Sequence, residues 1–134
     1  MSTFTSQVAL PLPEGWVGRE TIAVQSPDGQ ANVIASSEPV APQTTGEEYA
    51  ELVGRSLTEQ ELPGYRELSF ERADEGDHWL RTYEWEPPES LSITQTQLYY
   101  VADGRGYTVT ATMATSERPR WELQLDLLLR SLIA

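Results

Sequence analysis

His78 is the only histidine in the sequence. Any acid–base or nucleophilic catalysis that uses a histidine would therefore depend on it. It follows Asp77, and a carboxylate beside an imidazole is the pairing that orients a catalytic base. The two residues fall at a predicted turn, where a solvated surface histidine is the ordinary explanation. The sequence therefore favours a protein that is not an enzyme. An enzyme that depends on His78 is the least favoured hypothesis.

Two further patterns resemble binding motifs but have simpler explanations. Glu47, Glu48 and Glu51 cluster in the first turns of a predicted helix, where the helix dipole favours acidic residues without any metal. The Gly-x-Gly at 104–106 joins two predicted strands, whereas phosphate-binding loops open helices. We therefore expect no cofactor and no metal.

The composition excludes several classes of protein. The 134 residues include 21 acidic and 9 basic side chains, a net charge of −12, and no lysine or cysteine. This charge repels phosphate backbones and anionic lipid, so neither nucleic acid nor stable membrane association is expected. The absence of cysteine removes disulfides and thiol chemistry. Because no signal-like or membrane-spanning run is visible, we expect one cytoplasmic domain over residues 1–134.

Apolar alternation and turn residues predict a sheet of about six or seven antiparallel strands. The predicted strands are a short opening strand at 8–16 with Trp16 packed on the core, then 21–26, 31–40, one from 65, 78–86, 91–102 and 107–115. Hairpin turns are predicted at 27–29 and 103–106 because these segments combine Asp with Gly. The remaining segments fit helices.

Two helices are predicted from capping signals and apolar spacing. The first begins at a capping box formed by Thr45 and Glu48 and ends at Leu62-Pro63-Gly64. The second runs from Pro119 to Ser131. Their apolar stripes are Tyr49, Leu52, Val53 and Leu57, and Leu125, Leu128, Leu129 and Leu132. The order of elements predicts a single-domain α+β sandwich.

The last strands carry substantial side chains on both faces. Val109, Ala111 and Met113 alternate with threonines, and Leu98 alternates with Gln97 and Tyr99. The favoured explanation is a sheet packed on both faces, and the alternative is an open face that binds something apolar. Gln and Thr among apolar residues would suit a groove that must satisfy a few polar groups of its ligand.

A series of short motifs in order resembles the DcrB-related family. They are Leu-Pro-x-x-Trp at 12–16, Thr-Ile-x-Val at 21–24, Leu-Pro-Gly-Tyr at 62–65, Tyr-x-Trp at 83–85, the Gln97 strand and the Thr-rich last strand. Within that family the sequence looks most like the effector-associated chaperones of the bacterial type VI secretion system. The resemblance covers nearly the whole chain and implies a PsbP-like sandwich.

The resemblance also implies a function. It points to a homodimeric, non-enzymatic adaptor that shields the apolar N-terminal helices of a secreted effector before loading. Carried over by position, the client-binding residues are Ile22 and Val24 on one strand, Ile34 on the next, and Gln97, which hydrogen-bonds the bound helix. Ordinary core packing is the simpler explanation for the three apolar residues, as a solvated strand position is for Gln97.

One departure from the family pattern leaves a second function open. A polar client contact expected on the first helix falls near Gly54 and Arg55, which do not match it. The alternative is a PsbP-like module that binds a small apolar ligand or a different protein partner.

Overall fold

Over residues 2–6 and 8–133, which the computed structural model describes, the chain forms six strands and two α-helices. The strands are β1 (Glu20–Gln25), β2 (Ala31–Pro39), β3 (Arg66–Arg72), β4 (Trp79–Trp85), β5 (Ile93–Ala102) and β6 (Arg105–Ala114). The helices are α1 (Gly46–Glu59) and α2 (Arg118–Arg130), with single 3-10 turns at Thr115–Glu117 and Ser131–Ile133. All neighbouring strands are antiparallel, in the order β1-β2-β6-β5-β4-β3.

The residues of the turn between β5 and β6 favour the central hairpin. Asp103 and Gly104 both have positive φ, of 52° and 74°, which matches a two-residue turn whose twist suits β5 and β6. At the β1–β2 turn the Asp28 carboxylate accepts hydrogen bonds from the Ser26 hydroxyl at 2.6 Å and the Gln30 amide at 3.1 Å. Both predicted hairpins are therefore present.

The two helices cover opposite faces of the sheet. Tyr99 packs against Tyr49 and Ala50 of α1, whereas its neighbour Leu98 packs in the core that contains Leu129 of α2. Since successive side chains of a strand point to opposite faces, these contacts define an α1 face and an α2 face. The α+β sandwich and the prediction of a sheet packed on both faces are confirmed.

Helix α1 starts where its capping box predicts. The Glu48 amide donates to the Thr45 hydroxyl at 3.1 Å, and the Thr45 amide donates to the Glu48 carboxylate at 3.2 Å. The Gly46 amide also donates to the Asp77 carboxylate at 2.6 Å, which ties the helix to the loop before β4. The helix ends at Glu59, earlier than predicted, because Glu61 turns into the left-handed region with φ of 50°.

The predicted opening strand at 8–16 is not formed. Residues 8–13 are irregular, a turn follows in which the Trp16 amide donates to the Pro13 carbonyl at 3.1 Å, and Trp16 is 71% exposed rather than packed on the core. Pro11 and Pro13 lack the amide hydrogens that a ladder requires. Among the described residues, no helix has the length and apolarity to cross a bilayer.

Candidate functional site

A large concave region lies on the α1 face, between α1 and the strands β2, β5 and β6. We call it the α1 groove; its volume is about 630 Å³. Helix α1 packs chiefly over β5 and β4, so the sheet beyond it is left open on this face. The groove is lined on the helix side by Tyr49, Leu52, Val53, Arg55, Ser56, Glu59 and Gln60, and on the sheet side by Arg19, Ser36, Ser37, Glu38, Gln97, Thr108 and Thr110.

Leu52 gives the groove an apolar wall. It belongs to the predicted apolar stripe of α1 but is 51% exposed, whereas Tyr49 and Leu57 of the same stripe are buried. The half-buried Val53 lies beside it. A leucine left this open at the mouth of a groove is available to a partner.

A hydrogen-bonded chain runs beneath the groove floor. The Arg81 guanidinium donates through Nη1 to the Tyr99 hydroxyl at 2.8 Å, and Tyr99 donates to Gln97 Oε1. Gln97 Nε2 then donates to Thr110 Oγ1 at 3.1 Å. Burial raises the pKa of Tyr99, so its hydroxyl stays protonated and remains a donor. The chain therefore holds the Gln97 side chain in one position.

Arg81 is a buried charge that is paired with a carboxylate. Its Nε donates to the Glu67 carboxylate at 2.8 Å, and its Nη1 also donates to the Ala50 carbonyl at 3.3 Å. The guanidinium lies 4.4 Å from the centre of the Phe70 ring, a cation–π contact. Gly54 allows the Arg81 guanidinium to lie close to α1, because a Cβ at this position would lie 2.5 Å from Arg81 Nη2.

A second hydrogen-bonded chain of the same form lies two residues away along β5 and β6. Trp85 Nε1 donates to Gln95 Oε1 at 2.9 Å, and Gln95 Nε2 donates to Thr112 Oγ1 at 2.9 Å. Thr112 does not line the groove. This second chain therefore serves as an internal comparison for the first.

The other end of the groove floor is closed by Tyr49. Its hydroxyl lies 3.2 Å from Thr108 Oγ1 and 3.4 Å from the Glu38 carboxylate. Burial raises the pKa of Tyr49, so this hydroxyl is also protonated. Gly106 of β6 leaves room for the ring, because a Cβ there would stand 2.4 Å from it.

The structure divides the four predicted client-binding residues between the two faces. Gln97 lines the α1 groove, and Ile34 is beside it, directly opposite Thr110 in the β2–β6 ladder. Ile22 and Val24 pair with Ala35 and Val33, which belong to the α2 face. A single groove lined by all three apolar residues, as the resemblance implies, is not formed within this protomer.

Ile22 and Val24 instead line a smaller apolar notch on the α2 face. We call it the α2 notch; its volume is about 340 Å³. Its walls are contributed by β1, the end of α2 and the N-terminal residues, with Phe4, Leu128 and Leu132 as the large apolar side chains. The notch is the more apolar of the two concavities.

The segment from Val8 to Val17, which we call the N-terminal arm, exposes a row of large apolar side chains. They are Val8, Leu10, Leu12, Trp16 and Val17. The chain as a whole exposes 9034 Å², whereas a monomer of this mass is expected to expose about 7,000 Å².

Of the two residues considered for catalysis, Asp77 is held in structural hydrogen bonds, and the buried His78 Nδ1 has no hydrogen-bond partner among the described residues. Asp77 accepts from Gly46 and from Trp79 Nε1 at 2.8 Å rather than orienting His78, whose ring lies 5.2 Å from that of Tyr100. Burial raises the pKa of the Asp77 carboxyl, but the hydrogen bonds from Trp79, Gly46 and Glu47 outweigh it and leave the pKa below its usual value.

The functional residues missed from the sequence are Arg81, Tyr99 and Thr110. Arg81 shares the α1 face with Trp79 and Tyr83, so an arginine between two aromatic residues was the available signal. The role of Thr110 depends on pairing between β5 and β6 and has no local signal.

No family model and no curated protein matches the chain. A solved structure that is similar is the crystal structure of a protein of unknown function, PA94, from Pseudomonas aeruginosa. The two are 21% identical with a TM-score of 0.67, and the match covers 93% of this chain and 90% of that one. At this identity the similarity shows the fold alone.

Proposed function

We propose that this chain is a cytoplasmic, non-enzymatic adaptor that binds an apolar, transmembrane-type N-terminal helix of a type VI secretion effector and keeps it soluble before loading. The observation that carries the proposal is the α1 groove, where the exposed Leu52 lines the groove beside the hydrogen-bonded floor at Gln97 and the exposed Ile34 lies next to it, opposite Thr110. The motifs that resemble the effector-associated chaperones of the DcrB-related family support the same function.

The size of the groove indicates that one protomer covers only part of such a helix. The groove lining runs along the helix side from Tyr49 to Gln60, and a helix rises about 1.5 Å per residue, so the groove is about 17 Å long. A membrane-spanning helix of about 20 residues is about 30 Å long. A second copy of the chain would extend the covered length.

The proposed adaptor therefore acts as a homodimer. The protomer exposes 9034 Å², about 2,000 Å² more than expected for its mass, and a stable dimer buries about 800 Å² on each partner. The exposed apolar side chains of the N-terminal arm supply surface of the kind that obligate interfaces bury. The net charge of −12 keeps such a carrier in solution and away from anionic lipid.

The test uses two matched substitutions on opposite faces. Ile34 is 39% exposed and Val24 is 43% exposed, both are β-branched, and both lie in the first two strands. A soluble carrier protein fused behind an apolar helix is co-expressed with each variant. Ile34→Asp is expected to abolish co-purification, and Val24→Asp to retain it. Normal co-purification by a folded Ile34→Asp variant would contradict the proposal.

A second candidate function rests on the α2 notch. Its volume of about 340 Å³ falls at the lower end of the range for small-molecule sites, about 300–1,000 Å³, and its walls are apolar. In this alternative the chain is a PsbP-like module for a small apolar ligand. Native mass spectrometry that finds a bound small molecule, together with no affinity for apolar helices, would favour it over the adaptor.

A further inference from the structure

The orientation of the Gln97 amide follows from which groups can donate. Arg81 has only donors, so the Tyr99 oxygen accepts from it and the Tyr99 proton is free to go elsewhere. Tyr99 contacts Gln97 with that proton, so the atom it meets is the amide oxygen. The Gln97 NH₂ group therefore faces Thr110, and its two protons exceed the single acceptor it has found there.

Thr110 is left with a proton to donate. Its oxygen accepts from Gln97 at 3.1 Å, and its cross-strand neighbour Ile34 has no polar side chain. The hydrogen bonds among the described residues include no acceptor for the Thr110 hydroxyl. Thr108 differs, because the Tyr49 hydroxyl can donate a hydrogen bond to Glu38 and accept one from the Thr108 hydroxyl. Gln97 and Thr110 therefore each keep a proton that they can donate.

An apolar helix presents the complementary pattern on its side. Every interior amide hydrogen of a helix is already used in the helix. A serine or threonine in such a helix commonly donates its proton back to the carbonyl four residues earlier, which leaves the hydroxyl oxygen as an acceptor. A β-strand edge differs, because it offers donors and acceptors alternately. The spare protons of Gln97 and Thr110 match the hydroxyl oxygen that such a helix presents.

We propose that Arg81 and Tyr99 position Gln97 so that it and Thr110 form a donor pair, and that this pair selects apolar helices carrying a serine or threonine hydroxyl at the groove. This inference rests on the proposed function, because it names which helices the adaptor prefers. Thr110 is the specificity-determining residue, and Arg81 and Tyr99 are positioning residues.

The test uses two fluorescent helical peptides and three conservative variants. Each peptide has about 20 leucine and alanine residues between lysine flanks; one carries a central serine and its twin carries alanine there. The variants are Thr110→Val, which removes the donor, Thr110→Ser, which keeps it, and Thr112→Val, which changes the matching threonine outside the groove. None changes the charge, so attraction between the acidic protein and the lysine flanks is the same throughout.

We expect weaker binding for only one combination of variant and peptide. Anisotropy titrations should show Thr110→Val binding the serine peptide about fivefold more weakly than wild type, the equivalent of one ordinary hydrogen bond. The alanine peptide should be unaffected by that change, and Thr110→Ser and Thr112→Val should resemble wild type. If Thr110→Val binds the serine peptide as tightly as wild type does, this inference is overturned while the adaptor stands. If wild type binds neither peptide, both are overturned.

Discussion

Replacing Gly54 by alanine sets two physical effects against each other. In an exposed helix interior, this change stabilises a protein by about 1 kcal/mol, because glycine is a poor helix former. Gly54, however, faces the buried guanidinium, and the added Cβ would stand 2.5 Å from Arg81 Nη2. The guanidinium must therefore move, and the sign of the stability change reports what holds it in place.

The magnitude follows from the bonds that the shift breaks. Arg81 can keep its Nε contact with Glu67, but Nη1 loses the Tyr99 hydroxyl at 2.8 Å and the weaker contact with the Ala50 carbonyl at 3.3 Å. A hydrogen bond to a charged group contributes about 1.5–3 kcal/mol. After subtracting the helix gain, we expect Gly54→Ala to lower the free energy of unfolding by about 0.5–2 kcal/mol.

Urea unfolding followed by tryptophan fluorescence measures this directly, since the chain has four tryptophans. The Tyr99→Phe background is the control. Without the hydroxyl, the main bond that Gly54→Ala breaks is already absent, so the second substitution should be close to neutral. A Gly54→Ala variant that is more stable than wild type by about 1 kcal/mol would refute the position assigned to Arg81.

Three further predictions concern the cap, the acid response and the N-terminal arm. Thr45→Ala should lower the free energy of unfolding by about 1 kcal/mol in urea titrations, because it removes the capping box, and an unchanged midpoint would contradict this. Asp77→Ala should destabilise the protein at neutral pH, because the lowered pKa means that the charged form is bound more tightly in the folded state. That difference should be complete above about pH 4, near the pKa of Asp in the unfolded chain, and shrink as the pH falls through the lowered folded pKa; a difference that does not shrink on acidification below about pH 4 would contradict it. The double variant Leu10→Asp/Leu12→Asp should leave thermal unfolding of the protomer nearly unchanged but reduce the dimer mass measured by light scattering, whereas an unaltered dimer would exclude the arm from the interface.

Features with a local cause were predictable from the sequence. The Asp103-Gly104 turn and the Thr45–Glu48 capping box are formed because their donors, acceptors and φ preferences lie within a few residues. The opening strand at 8–16 was wrong because its alternating apolar residues resemble a strand, but a strand also needs a neighbouring edge and free amides. Two prolines remove part of that requirement.

The candidate site depended on pairing between distant segments. Alternation correctly indicates that Ile22 and Val24 share a face. The register then pairs Ile34 with Ala23, which lies between them, so Ile34 is on the other face. A shift of one residue would have reversed this result, and the register is set by the turn between the strands and their joint hydrophobic pattern, not by either strand alone. The same reasoning explains why the Arg81–Tyr99–Gln97–Thr110 chain, which crosses three strands, was not foreseen.

The most direct test of the central claim is to ask which face an apolar helix covers. The chain has no cysteine, so single Ile34→Cys and Val24→Cys variants each carry one reactive thiol on a known face. Their labelling rates with a water-soluble maleimide are compared with and without the serine-containing helical peptide. The proposed function predicts that the peptide slows labelling at position 34 and leaves position 24 unchanged. Protection at position 24 alone, or at neither position with the peptide bound, would contradict it.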